Sequence, residues 1–437
     1  EISGKATAEV ALEEMLAKVE KTWEDQELIV NPYKDNKDVF IVGSVEDITV
    51  ALEDSLVTIS TIAGSRFVGP IRDDVEKWQK DLMLFQETLD EWLNVQRNWM
   101  YLESIFGAGD IKKQLPTESA KFMEIDGTWR SIMRETQQYP VARIACTKPG
   151  RLDIFKSANE TLDQIQKQLE DYLLSKCVAF PRFFFLSNDE LLEILSQARR
   201  PQAVQPHLRK CFDNLVKLRF SEGANSQDIY GMISGEGEEI PFSKMLKARN
   251  NVEKWLSSDG GVEERMVSTL RDVTRKGWKD YAVTPRKDWV RDAYCQVCIT
   301  VGSIYWTLES EQVLLLEEKS KIVQAMGKWL KKNKEQLQGL TELIRDKLTG
   351  LQRKGVVALV TQDVHNRDII EKLYTDKITS IQNFQWQQQL RYYWDETLDD
   401  CCIKQVDAFI MYGHEYMGAL SRLVITPLTD RCWMTIT

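Results

Sequence analysis

The stretch VEKWQKDLMLFQETLDEWLNVQRNWMYLESIF, residues 75–106, places apolar side chains at Val75, Trp78, Leu82, Phe85, Leu89, Trp92, Val95, Trp99, Leu102 and Phe106. Steps of three and four return a side chain to one face of an α-helix, so a single helix about 48 Å long is expected here. GAGD at 107–110 supplies its stop. The same period runs through Phe155, Ala158, Leu162, Ile165, Leu169, Tyr172 and Lys176, broken by AFPRF at 179–183. Asn188 and Asp189 are expected to cap a shorter helix, ELLEILSQA. A third long stretch carries Ile322, Met326, Trp329, Leu337, Leu340, Ile344, Leu348 and Leu351, with charge on its other face.

Between Val216 and Phe242 the period drops to two. VKLRF and DIYGMIS alternate, and Gly235-Glu236-Gly237 separates the latter from EEIPF, which predicts an antiparallel hairpin or a three-stranded patch. SSDGG at 257–261 and TPRKD at 284–288 read as loops. At the far end, RLVITPLTDRCWMTIT (422–437) reads as a strand over Leu423, Val424 and Ile425, a Pro-Leu-Thr corner, and a helix. The fold class expected is mainly α: an elongated array of helical bundles with a small β-hairpin insertion and a C-terminal strand entering an α/β domain. No repeat of fixed period stands out. The 13 tryptophans mostly occupy helix-periodic positions and are read as packing.

Several chemistries are disfavoured. A net charge of -10 opposes a phosphate backbone, and KKNK at 331–334 is the strongest basic cluster, so no nucleic-acid partner is expected. No apolar run approaches the roughly 18–20 residues of a membrane span, and EISGKATAEV lacks the apolar core of a secretory signal, so a soluble intracellular chain without a membrane partner is expected. The sequon Asn159-Glu160-Thr161 is then unused. Glu1 in place of Met, and a last residue inside a structured-looking segment, suggest a piece of a longer polypeptide.

Eight cysteines form no disulfide or zinc framework, and Cys295 and Cys298, flanked by Val297, Ile299 and Val301, read as buried thiols. His207, His365 and His414 are too dispersed for a metal site or a triad. Glu396, Asp399 and Asp400 read as a solvated acidic face. No GxxxxGK[ST] loop is present to cradle phosphates, so no catalytic residue, metal site or cofactor is assigned within these residues.

Longer motifs go further. RNWMYLESIF (97–106) followed by DIKKQLP (110–116), FPRFFFLSNDELLEILS (180–196), VALVTQDVHNRDIIEKL (357–373), FQWQQQLRYYW (384–394) and YGHEYMGALSRLVITPLTDRCWMTIT (412–437) occur in one order. The chain resembles the linker region of a dynein heavy chain running into its first AAA+ module. The wording of VALVTQDVHNRD and DIYGMISGEGEEIPFSK is similar to axonemal members. MGAL at 417–420 and Trp433 depart from the usual pattern, conservatively.

The resemblance implies a helical linker over residues 1–411 and, over 412–437, the start of the module, ending before its phosphate loop. It implies that Ile425, Pro427, Leu428 and Thr429 line the adenine side of the nucleotide pocket, where an apolar wall with exposed backbone groups suits a flat heterocycle. It further implies an ATP-hydrolysing microtubule motor as the parent chain, using ATP and Mg. The partners implied are the AAA+ ring of the same heavy chain, microtubules, intermediate and light chains and other heavy chains, in the cytoplasm and cytoskeleton of a cilium or flagellum axoneme.

In that setting the linker bends and straightens over the ring, with 221–242 and 257–261 as candidate bending points. The alternative is a helical scaffold that docks partners and generates no force. An autonomous enzyme is disfavoured by the missing loop, metal set and triad.

Overall fold

The computed structural model describes residues 2–34, 36–107, 109–197, 200–223, 227–249, 251–257, 259–419 and 423–436. Helices dominate, with small antiparallel sheets between them. The chain divides into two compact units, Glu1–Ser175 and Lys176–Thr437. Among the described residues no helix is long and apolar enough to cross a membrane.

The N-terminal unit is organised by the helix Arg72–Phe106, which ends just before Gly107 as its sequence predicts. Its buried face is the one the spacing marks: Val75, Leu82, Phe85, Leu89, Trp92, Val95, Trp99, Leu102 and Phe106. Trp78 is the exception, half-buried with its indole N–H donating to Glu20. The neighbouring helices Pro116–Gln138 and Arg151–Ala179 supply rings to this face. Trp129 stacks on Trp99 at 5.4 Å and Phe155 lies 4.9 Å from Trp92. Each such ring removes about 150–250 Å² from water, about 4–6 kcal/mol of gross apolar transfer before entropy is counted.

A two-stranded ribbon, β1 (Val30–Tyr33) and β2 (Asn36–Val42), was not legible as alternation. Gln96 on the long helix ties it down. Its carboxamide accepts from the Val42 amide at 2.8 Å and donates to the Val42 carbonyl at 2.9 Å, satisfying backbone groups at the end of the ribbon.

In the C-terminal unit, β3 (Leu215–Phe220), β4 (Asp228–Ser234) and β5 (Glu239–Lys247) form the expected three-stranded meander, with Leu218 opposite Met232 and Met232 opposite Ile240. A second meander, β6 (Arg391–Asp395), β7 (Asp400–Gln405) and β8 (Ala408–Met411), lies where no strand was anticipated. Successive side chains on a strand point to opposite faces, and Cys401 and Cys402 are both buried, so β7 is covered on both sides.

Against β6 runs the helix Cys295–Leu314, buried almost all round. It packs closely on the helix Val262–Tyr281. A Cβ on Gly277 would meet Val297 Cγ1 at 2.5 Å, so only glycine permits this separation.

Three local expectations are corrected. The stretch from Ile322 to Leu351 is two helices, Lys319–Arg345 and Gly350–Thr375. The Thr349 hydroxyl accepts from the Gln352 amide, and the Gln352 side chain accepts from Thr349 N–H, a capping box that starts a new helix. The cap of the helix Asn188–Ser196 is Ser187, boxed with Glu190, one residue before the expected Asn188 and Asp189. At the C-terminus Leu423, Val424 and Ile425 form no strand: the sheets among the described residues are built from β1–β8, and none offers these residues a ladder. A helix does follow, at Pro427–Ile436.

Candidate functional site

The segment matching the expected nucleotide side begins at Thr426. Its hydroxyl accepts from the Thr429 amide at 3.4 Å, and its own amide donates to the Thr429 hydroxyl at 3.3 Å, a reciprocal cap that sets Pro427 at the first helical position. Thr429 is therefore engaged in capping. Ile425 is half-buried and lines a cavity of about 290 Å³. Leu428 points outward, 71% exposed. Of Pro427 only the backbone lies within the described residues.

The segment's share of the cavity wall includes Leu423, Ile425, Asp430 and Trp433. The opposite wall is carboxamide-rich, with Gln362, Asn366, Gln388 and Gln405, and includes His365 and Trp306. Burial pushes the His365 imidazole below the ordinary histidine range, while Asp430 and Asp368 pull it back up. The buried indole N–H of Trp306 has no partner among the described residues. Amides, an imidazole and branched aliphatics around one small space suit a flat, hydrogen-bonding group.

No group of three His, Cys, Asp or Glu able to hold a metal occurs among the described residues. Cys295 and Cys298 are buried free thiols, as read from sequence; desolvation raises both, Cys298 to about 12, so neither supplies a thiolate near neutral pH. The acidic run after Trp394 is more engaged than a solvated face: Asp399 pairs with Arg275, and Asp400 lies 2.7 Å from His414 Nε2. Burial pushes His414 down, against the upward pull of that carboxylate.

Sequence reasoning missed the polar groups that hold residues 412–419. Arg182 grips the Glu415 carboxylate with both Nη atoms, at 3.0 and 2.8 Å, and Gln296 spends its carboxamide on the same segment. Arg182 and Glu415 sit inside the quoted motifs FPRFFFLS and YGHEYMGA. Their pairing across 233 positions leaves no local trace in the sequence.

Residues 1–277 match the family model described as dynein heavy chain, N-terminal region 2, and residues 412–437 match the hydrolytic ATP binding site of dynein motor region. The whole chain is 48% identical to dynein axonemal heavy chain 6 of Homo sapiens, 44% to dynein axonemal heavy chain 2 of Homo sapiens and 41% to dynein axonemal heavy chain 1 of Rattus norvegicus. It spans 11%, 10% and 9% of those relatives. The chain therefore belongs to the dynein heavy chain family.

Proposed function

We propose that this region is the mechanical linker of an axonemal dynein motor, bending and straightening over the AAA+ ring of its own heavy chain to turn ATP hydrolysis into movement along microtubules. The observation that carries the reading is the C-terminal segment itself. Residues matching the hydrolytic ATP-binding site, Ile425 and Asp430, form one wall of a cavity whose other wall is the linker's last long helix and second meander. A nucleotide-driven shift of that segment therefore meets the linker directly. Leu423, Val424, Leu428 and Ile436 are all more than half exposed, an apolar surface suited to cover by the rest of the ATP-binding module.

Within the longer chain, residues 1–411 act as linker and 412–437 open the module. Ile425, Pro427, Leu428 and Thr429 serve the adenine side, Ile425 and Leu428 through apolar contact and Thr429 by fixing the turn. No GxxxxGK[ST] loop is present in the sequence, and ATP with Mg is assigned to the longer heavy chain. Its further partners are microtubules, intermediate and light chains and other heavy chains of a ciliary or flagellar axoneme.

Removing residues 1–411 from the full heavy chain tests the linker role. ATP turnover should persist while microtubule gliding stops; gliding at the original speed would favour the scaffold reading. Ile425→Asp with Leu428→Asp in the heavy chain should weaken ATP binding about tenfold or more by placing charge against the base. Unchanged affinity would remove these residues from the adenine side.

A further inference from the structure

The eight residues 412–419 between β8 and the nucleotide-side segment are fastened by polar contacts on four sides. Gln296, at the start of the buried helix Cys295–Leu314 and only 5% exposed, is the hub. Its Nε2 donates to the Glu415 carbonyl at 2.8 Å and lies 2.9 Å from the Tyr412 hydroxyl, while its Oε1 accepts from the Met417 amide at 2.9 Å. Arg182, forked onto Glu415, is itself oriented by Glu263 at 2.8 Å and by the Cys211 carbonyl at 3.1 Å. Tyr416 is fully buried and its hydroxyl donates to the Glu238 carbonyl at 2.9 Å. Asn214 donates to the Met417 carbonyl at 2.8 Å, and His414 meets Asp400.

These contacts fix register. A carboxamide bonded to backbone groups of Glu415 and Met417, two residues apart, and a guanidinium forked onto Glu415 all lose their hydrogen bonds if the segment slides by a residue. Gly418 adds a steric stop: its φ is +58°, and a Cβ there would lie 2.6 Å from Asn214 Nδ2. Two of the supports, Glu236 and Glu238, belong to the turn between β4 and β5, so the strap also grips the hairpin that the sequence marked for bending.

We propose that residues 412–419 are a register-fixing strap through which displacement of the nucleotide-side segment is passed to the C-terminal unit, with Gln296 and Arg182 as positioning residues and the β4–β5 turn as an anchor. This rests on the nucleotide-driven reading above. A strap loosened at Gln296 leaves the nucleotide site able to turn over while its movement is lost in slack.

The test uses the full heavy chain carrying Gln296→Ala, or Arg182→Lys, which keeps the charge but loses the fork, with Lys287→Ala, an exposed residue paired with Glu342, as control. Amide exchange at Met417 and Ala419 should rise about 100-fold in Gln296→Ala and less in Arg182→Lys, with no change in the control. ATP turnover should stay within about twofold while gliding velocity falls about fivefold or more. Unchanged exchange overturns the strap. Raised exchange with turnover and gliding unaffected, or falling in proportion, overturns the coupling and leaves a fold support. A wild-type heavy chain that hydrolyses ATP without gliding would refute the motor reading and the coupling together, whereas the exchange result decides the fastening by itself.

Discussion

The helices Arg72–Phe106 and Cys295–Leu314 each sit at the heart of one unit and are built on different chemistry. The first buries rings and branched aliphatics along one stripe and turns charge to solvent on the other. The second is buried on nearly every side, and its interior includes Gln296, Thr300, Ser303, Thr307 and Ser310. Thr300, Ser303 and Ser310 donate back to the carbonyls of Gln296, Ile299 and Trp306, so the hydroxyls cost little inside. A stiff apolar body in one unit thus contrasts with a polar, direction-specific network in the other.

The largest effect should come from breaking the apolar side of this contrast. Trp99→Ala removes a ring with no exposed surface that stacks on Trp129 and donates to Asp126, and should cost about 4 kcal/mol by denaturant midpoint. An unchanged midpoint would mean that the seam is not packed as described. On the polar side, Asp363→Ala removes a buried carboxylate and strands the half-buried Arg286 2.8 Å away, and should cost about 3 kcal/mol. Replacing both partners with apolar residues should recover most of that loss. If the double variant is as weak as the single one, the pair itself, rather than the unpaired charge, is what matters.

The same contrast explains what could be read from sequence. The helix Arg72–Phe106 was legible because its two faces differ, and Val75 to Phe106 trace the buried one. The helix Cys295–Leu314 was not anticipated, because a segment buried all round carries no period to detect. The first meander announced itself through alternation and Gly235-Glu236-Gly237. The second did not, since RYYW and CCI are flanked by glutamines and acids and β7 is covered on both faces.

At the C-terminal end, the motifs carried the family. The contacts of Arg182, Gln296 and Glu238 with residues 412–417 join positions more than a hundred apart and leave no local pattern.

Smaller effects sharpen the comparison. Thr349→Ala removes the box that separates the last two long helices and should cost about 1 kcal/mol, with helix content nearly unchanged. Loss of several kcal/mol would show that the break does more than start a helix.

The smallest expected effect is pH dependence confined to one unit. All three histidines lie in the C-terminal unit, and His365 and His414 are both held below the ordinary value near 6.5, chiefly by burial. His414 faces Asp400 and Arg271; His365 faces Asp430 and Asp368. A depressed histidine binds fewer protons folded than unfolded, so its stability is whole above that value and is lost as pH falls below it. Unfolding followed by a fluorine reporter in each unit should show the C-terminal unit weakening between pH 7 and 5.5, and His414→Gln should flatten the slope. A steeper fall in the N-terminal unit would contradict this assignment.

The central claim, that this region changes shape with the nucleotide state of its own heavy chain, is tested most directly by a distance. Dyes on exposed Met83→Cys and Val283→Cys of the full heavy chain, one in each unit, flank both candidate bending points. Single-molecule energy transfer should show two separations that interconvert at the rate of ATP turnover and collapse to one when hydrolysis is blocked. A single separation throughout the cycle would contradict the account.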